Sequence, residues 1–249
     1  MTEFKIKVAA RTVAVSAIYE STRKYCGDYL TEGHPDFSVE ITPENIEYER
    51  GKIVREDWLE GLPTRNYSDT YLETTAVQRK ITERLLEYDT LLFHGSVVAV
   101  DGEAYLFAAK SGTGKSTHTR LWRERLGERA VMVNDDKPFL RMTEQGVLAC
   151  GSPWNGKHHL GTNVCVPLKA ICILERGEAN HIREISPREA LGMLFQQSSR
   201  PMDRALLPKY LELLDRLAGG VAFYRMVCNM NMDAAEMAYK AMSTGGKEA

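Results

Sequence analysis

The tightest constraint on this chain is the passage from Ala104 to Leu126. An apolar run, Ala104 to Ala109, ends in Lys110-Ser111-Gly112-Thr113-Gly114-Lys115-Ser116-Thr117. A helix is then expected from about Ser116 to Leu126, with Gly127 placed to terminate it. Glycines let the backbone curl so that successive N–H groups converge, and a helix starting at Ser116 adds the positive end of its dipole. Such a turn suits the concentrated negative charge of a triphosphate, which leaves water only if it is paired. Lys115 is placed for the β- and γ-phosphates and the Ser116 hydroxyl for magnesium. Ser111, Gly112, Thr113, Gly114, Lys115, Ser116 and Thr117 therefore form the expected ATP-binding segment. The full pattern G-x-x-x-x-G-K-[ST] has glycine where this chain has Ala109, a change that requires negative φ there.

A second element follows at Ala130 to Val133, a short buried strand ending in Asn134-Asp135-Asp136. A strand of this kind can deliver a carboxylate to the cation beside such a loop. Successive residues point in different directions as a strand ends. One aspartate can then face the metal while the other faces a hydroxyl and takes its proton as general base.

Periodicity organises the rest. Residues 1–88 read as a small α+β module and residues 89–249 as the domain that carries the chemistry. In the first, Phe4 to Val8 and Phe37 to Ile41 alternate as half-buried strands, and Thr42-Pro43-Glu44 opens a helix. A second helix is expected from about Asp69 to Tyr88, with Leu72, Ala76, Val77, Ile81, Leu85 and Leu86 as its apolar stripe. No catalytic constellation occurs here, so its expected roles are packing against the core or holding a partner. In the second region, His94 to Val100 and Ala104 to Ala109 form a hairpin through Asp101-Gly102, and Phe139 to Met142 pairs with Val147 to Cys150. Ala170 to Leu174 is a strongly apolar strand, expected to pair with His181 to Ile185 across Gly177. Ser186-Pro187-Arg188-Glu189 begins a helix with a capping box, and Pro208 begins another. Val221 to Val227 is a late strand, and Asp233 caps the final helix.

Composition narrows the function class. The 249 residues are 43% hydrophobic and 27% charged, enough for a real core, and the net charge of −2 offers no basic stripe for a nucleic acid. No run approaches the length of a membrane helix, and the charged, alternating start lacks a signal-peptide pattern, so the expectation is a cytoplasmic protein with no membrane partner. The five cysteines (Cys26, Cys150, Cys165, Cys172 and Cys228) are odd in number and never form C-x-x-C. They read as buried, reduced thiols, with neither a zinc cage nor a disulfide framework expected.

Taken in order, His94-Gly95, the hairpin, S-G-T-G-K-S and the strand ending in Asp135-Asp136 resemble the catalytic domain of bacterial HPr kinase/phosphorylase over roughly residues 90–175. The S-G-T-G-K core is also similar to ATP-dependent phosphoenolpyruvate carboxykinase, and the whole resembles small HPr-kinase-like proteins that phosphorylate serine. The resemblance implies an α/β fold: a mixed-sheet P-loop kinase core of the HPr kinase C-terminal domain or PEP carboxykinase type, with the small N-terminal α+β module added. It implies ATP and Mg2+ as cofactors and a kinase acting on a serine-type hydroxyl of a small protein, peptide or metabolite. It also implies His94 orienting or tuning Asp135, Asp135 as the base, Asp136 as the magnesium-side carboxylate, and a possible homo-oligomer. Two features depart from the family. Ser152-Pro153-Trp154-Asn155-Gly156-Lys157 replaces its arginine- and glycine-rich segment, and its N-terminal domain is not recognisable. HPr is therefore not the expected acceptor. The length also argues against a carboxykinase, which needs a separate substrate lobe.

Other residues have a functional and a plain reading. Lys157 is a candidate for neutralising charge on the transferred group, in a loop that otherwise reads as a surface turn around a packed Trp154. His158 and His159 are neighbours without metal-ligand spacing, and Arg200, after Gln196-Gln197, is a phosphate clamp or a surface arginine. Beside the kinase stand two other readings: a carboxykinase-like small-molecule enzyme, and a nucleotide-sensing protein that binds ATP without turnover.

Overall fold

The computed structural model describes residues 1–110 and 112–245, and the chain divides into two units, Met1–Arg84 and Leu85–Ala249. The division falls before residue 88. The last residue of the helix Asp69–Leu85 and the turn Leu86–Tyr88 lead straight into a strand, and Leu86 lies in the core of the second unit.

In the first unit, β1 (Thr2–Val8) and β2 (Arg11–Ala17) form an antiparallel hairpin whose turn places Ala9 and Ala10 at φ 48° and 60°. Alternation buries Phe4, Ile6 and Val8 from one strand and Val13, Val15 and Ala17 from the other. After α1 (Glu20–Tyr25), β3 (Phe37–Glu40) joins β2 in parallel, followed by α2 (Pro43–Glu60) and α3 (Asp69–Leu85). The Asn45 side-chain oxygen accepts the Thr42 N–H at 3.1 Å at the start of α2. Buried Glu73, on α3, accepts the backbone N–H of Ile18 at 2.5 Å and of Tyr19 at 3.1 Å, as well as the Thr22 hydroxyl. Its polar interior thus serves to join its own elements.

The second unit contains β4 (Thr90–Leu92), β5 (Ser96–Val100), β6 (Glu103–Ala108), α4 (Lys115–Leu126), β7 (Ala130–Asn134), β8 (Phe139–Thr143) and β9 (Gly146–Cys150). There follow β10 (Cys165–Arg176), β11 (His181–Ile185), α5 (Pro187–Gln197), α6 (Leu207–Gly220), β12 (Ala222–Cys228) and α7 (Met232–Thr244). Among the described residues these strands make one mixed sheet in the order β4-β8-β9-β10-β6-β5-β7, with β12 on β10 and β11 on β12. Period-two alternation sends neighbouring side chains into two cores. Val97, Leu106, Ile171 and Phe223 meet residues of α5 and α6, whereas Val98, Phe107, Cys172 and Tyr224 meet Trp122 of α4 and Ala238 of α7.

Two sequence expectations are corrected here. His181–Ile185 does not pair with Ala170–Leu174: β12 lies beside β10 in parallel, and β11 pairs antiparallel with β12 instead. A parallel neighbour requires a crossover, which α5 and α6 supply. The reading of all cysteines as reduced also fails, since Cys150 and Cys165 form a disulfide between facing positions of β9 and β10. Cys26, Cys172 and Cys228 are free. No helix among the described residues is long and apolar enough to cross a membrane.

Candidate functional site

Strand direction gathers the candidate residues. β5 is antiparallel to β6 and β7, and β6 is parallel to β10, which is parallel to β12. The start of β5 therefore shares a sheet edge with the ends of β6, β7, β10 and β12. That edge carries His94, the glycine-rich turn, Asp135-Asp136 and Arg176. Strand ends of this kind are where open α/β sheets place their ligands.

The turn connects β6 to α4. Gly112 and Gly114 have φ of 76° and 117°, a region open to glycine but strained for other residues, while Ala109 is not among the positive-φ positions. Ser111, the first residue of the expected binding segment, lies outside the described residues. Thr113 N–H closes a turn onto the Lys110 carbonyl at 3.1 Å, and Lys115, Ser116 and Thr117 form the first turn of α4. The Lys115 ammonium rests 3.4 Å from the Ala109 carbonyl. Burial lowers its pKa, the charge of Asp136 opposes that shift, and Lys137 reinforces it. Lys115 and Asp136 are thus close enough to feel each other.

Sequence reasoning missed Arg176. Its guanidinium donates to the carbonyls of Gly112 and, at 3.1 Å, of Thr113. A peptide's N–H points opposite its C=O, so holding the Thr113 carbonyl directs the Gly114 N–H the other way. Arg176 also lines two cavities beside the turn. One, of about 670 Å³, includes Lys110, Met193 and Gln197; the other, of about 340 Å³, includes Thr117, Leu121 and Leu174. The ordinary reading of an arginine at a strand end gave no signal for this contact.

Asn134 was missed as well: the sequence marks it only as part of the end of a buried strand, with no role of its own. It is fully buried, and its Oδ1 accepts the N–H of Asp136 at 2.8 Å and of Lys137 at 2.6 Å, as an Asx turn does. Its Nδ2 donates to the Ser152 carbonyl at 3.1 Å, the Ser152 hydroxyl at 3.2 Å and Asn155 Oδ1 at 2.9 Å. One amide therefore shapes the aspartate turn and ties it to residues 151–164.

The two aspartates sit in different surroundings. Asp135 is buried, and the backbone N–H of Gly156 donates to its Oδ1 at 2.6 Å. Burial raises its pKa above the usual carboxylate value; backbone bonds from Gly156 and Leu160 oppose this, and the charge of Asp136 adds to it. A Cβ on Gly156 would lie 3.2 Å from Asp135 Oδ2, so a larger residue there would press on the carboxylate. For Asp136, burial also raises the pKa but is outweighed by the His94 hydrogen bond and the charges of Lys137, His94 and Lys115, leaving its pKa below the usual value.

His94 meets Asp136, with Nε2 3.1 Å from Oδ1, and not Asp135 as the resemblance implied. Register explains it: Val97 faces Asn134 across the antiparallel pair, so moving back along β5 moves forward past Asn134. The Gly95 N–H donates to the Asp136 carbonyl at 3.0 Å, and the Ser96 hydroxyl to that of Asp135 at 2.9 Å.

Other expected residues lie further from these contacts. Lys157 is exposed on the turn after Gly156, and among the described residues no hydrogen bond or ion pair joins it to the aspartates or Lys115. His158, His159 and Arg200 are exposed, while Trp154 is buried edge-on to Phe139 at 6.3 Å between ring centroids. No group of three or more His, Cys, Asp or Glu among the described residues could hold a metal ion. Ser116, in the first turn of α4, and Asp136, just beyond β7, each carry an oxygen donor of the kind magnesium accepts alongside waters and substrate phosphates.

The family model described as SynChlorMet cassette protein ScmC matches residues 60–232. The chain belongs to the ScmC family. Every candidate residue from His94 to Arg200 lies inside the part that defines this membership. No curated protein matches this member of the ScmC family. Among solved structures, it is similar to the Hpr(Ser) kinase/phosphatase from Coxiella burnetii, with 12% identity and a TM-score of 0.32 over 61% of this chain and 98% of that one.

Proposed function

We propose that this chain is an ATP- and magnesium-dependent kinase that transfers the γ-phosphoryl group to a serine-type hydroxyl of a small protein, peptide or metabolite. One observation supports the reading most. A lysine in a glycine-rich strand-to-helix turn stands within electrostatic reach of one of two adjacent carboxylates, whose environments drive their protonation in opposite directions. Separated pKa values in a pair are the mark of divided acid–base roles.

In this reading the turn is a phosphate loop. Gly112 and Gly114 keep side chains away from the triphosphate, the start of α4 faces its charge, and Lys115 leaves the Ala109 carbonyl for the phosphates. Ser116 and Asp136 would hold Mg2+, which supplies charge neutralisation when bound. Asp136 is suited to this because it stays ionised, and His94 fixes its orientation. Asp135 takes the proton of the acceptor hydroxyl. The hydroxyl oxygen then bonds to the γ-phosphorus, the bond from that phosphorus to the β,γ-bridging oxygen breaks, and ADP leaves with the electron pair. A raised pKa makes Asp135 a better proton acceptor than an ordinary carboxylate.

The test is incubation with γ-labelled ATP, Mg2+ and the products of the genes flanking its own, followed by mass-spectrometric location of the label. A labelled serine-type hydroxyl that disappears in Asp135→Asn supports the kinase. Label released only as inorganic phosphate, or never released, removes it.

A further inference from the structure

The disulfide lies where it bears on Asp135. Cys150 ends β9, Cys165 begins β10, and the intervening residues 151–164 supply two of the backbone groups that bond the Asp135 carboxylate, those of Gly156 and Leu160, beside Asp135's own. The same segment reaches the end of β7 through Asn134 to Ser152 and Asn155, through the Ser152 hydroxyl to the Lys137 carbonyl at 2.6 Å, and through Thr162 N–H to the Val133 carbonyl at 3.1 Å. At its base the pairing of β9 with β10 is short: Cys150 with Cys165, Ala149 with Val166, and Leu148 with Pro167. Pro167 has no N–H to give to that ladder. Beyond it, the Gly151 N–H to Val164 carbonyl bond at 2.9 Å is the next link. The covalent bond therefore carries much of the closure.

The pair is also asymmetric. Cys165 is exposed, whereas Cys150 is fully buried. A thiolate from solvent meets the Cys165 side first. The other cysteines are poor participants, because burial pushes the thiol of Cys26 up to about 12 and raises those of Cys172 and Cys228.

We propose that Cys150–Cys165 is a site of thiol–disulfide exchange with a dithiol reductant, and that reduction there loosens residues 151–164 and withdraws the support of Asp135 while leaving the glycine-rich turn intact. One thiolate of the reductant attacks the Cys165 sulfur, forming a mixed disulfide and releasing Cys150 as the leaving thiolate. The reductant's second thiol attacks its own sulfur in that mixed disulfide and releases Cys165. The protein gains two electrons and two protons, and the dithiol becomes a cyclic disulfide. The proposal rests on the reading of Asp135 as the base and adds a control on that base. Transfer becomes sensitive to redox conditions while nucleotide binding does not.

The experiment compares full-length protein, oxidised in air or reduced with dithiothreitol, in three measurements. Reduction is expected to raise amide hydrogen exchange in residues 151–164 by about tenfold or more while leaving residues 112–126 unchanged. It is expected to lower hydrolysis of γ-labelled Mg·ATP by about tenfold, with the affinity for a fluorescent ATP analogue held within about twofold. The variant carrying Cys150→Ser and Cys165→Ser should match the reduced protein with or without dithiothreitol. If it does not fold, Cys165→Ala serves, and the oxidised and reduced wild type needs no variant. Equal hydrogen exchange in the two redox states overturns the proposal, as do free thiols at Cys150 and Cys165 in the air-oxidised protein or equal loss of binding and hydrolysis on reduction. Oxidised protein that binds no ATP analogue sinks the kinase reading instead, and the hydrogen-exchange comparison still decides the fate of the disulfide.

Discussion

Residues 112–117, an irregular turn that runs into the first turn of α4, and the irregular residues 151–164 both lie beside the candidate groups, and they are held by different means. The first depends on two glycines at positive φ, a helix start and one arginine bonded to its carbonyls. The second is held by a buried amide, a serine hydroxyl, backbone bonds to Asp135 and a disulfide. A turn that must receive a charged ligand needs N–H groups left for it, and here Arg176 is bonded to carbonyls of the turn while the Thr113 N–H closes it onto Lys110. A segment that must hold one carboxylate in place uses its polar groups on its own neighbours. If this contrast is correct, damage to the first turn weakens ATP binding, and damage to the second weakens transfer.

The sharpest way to break the comparison is Asp135→Asn. Loss of a general base should lower turnover by about 10²- to 10⁴-fold while leaving the dissociation constant of Mg·ATP close to wild type. An equal loss of both would move Asp135 from base to metal ligand. Asn134→Ala comes next. It strands the N–H groups of Asp136 and Lys137 and frees Ser152 and Asn155, so thermal or urea unfolding should show a loss of about 2–4 kcal/mol. Turnover of the folded variant should fall more than ATP affinity does. Arg176→Ala tests the other side: titration should show ATP bound about three- to tenfold more weakly with little change in maximal turnover, because charge-assisted bonds to the loop are lost. Lysine at 176 should rescue little, since it lacks the planar fork.

The smallest expected effect separates the two aspartates by pH. Burial raises Asp135, so its protonation should extinguish turnover as pH falls through a value above the usual carboxylate figure of about 3.9. Asp136 is held below its usual value, so Mg·ATP binding should persist to lower pH than turnover. A pH profile of turnover alongside one of binding checks this, and coincident profiles would count against divided roles.

Much of the sheet-edge chemistry was legible because its signals are local. The β5–β6 hairpin, the glycine-rich turn, the start of α4 and the tandem aspartates each need only a short stretch of sequence to declare themselves. What escaped depends on contacts between distant segments. The N-terminal half of β10, from Cys165 to Lys169, mixes polar and apolar residues around Pro167 and reads as no strand until β9 is beside it. β2 and β4 went unread for a related reason, since their partners define them. The disulfide joins residues fifteen apart whose opposition arises only from strand register. Arg176 meets Gly112 because β10 runs parallel to β6, and His94 meets Asp136 because β5 runs antiparallel to β7. In each case the residue type was visible and its partner was not.

In the proposed kinase, residues 112–117 bind the triphosphate of Mg·ATP. Amide hydrogen exchange with and without Mg·ATP, on wild type and on Lys115→Ala, tests it most directly. The predicted result is nucleotide-dependent protection of residues 112–117 in wild type, lost in Lys115→Ala while that variant keeps the wild-type pattern without nucleotide. No protection in wild type at millimolar Mg·ATP, or equal protection in Lys115→Ala, would contradict the claim.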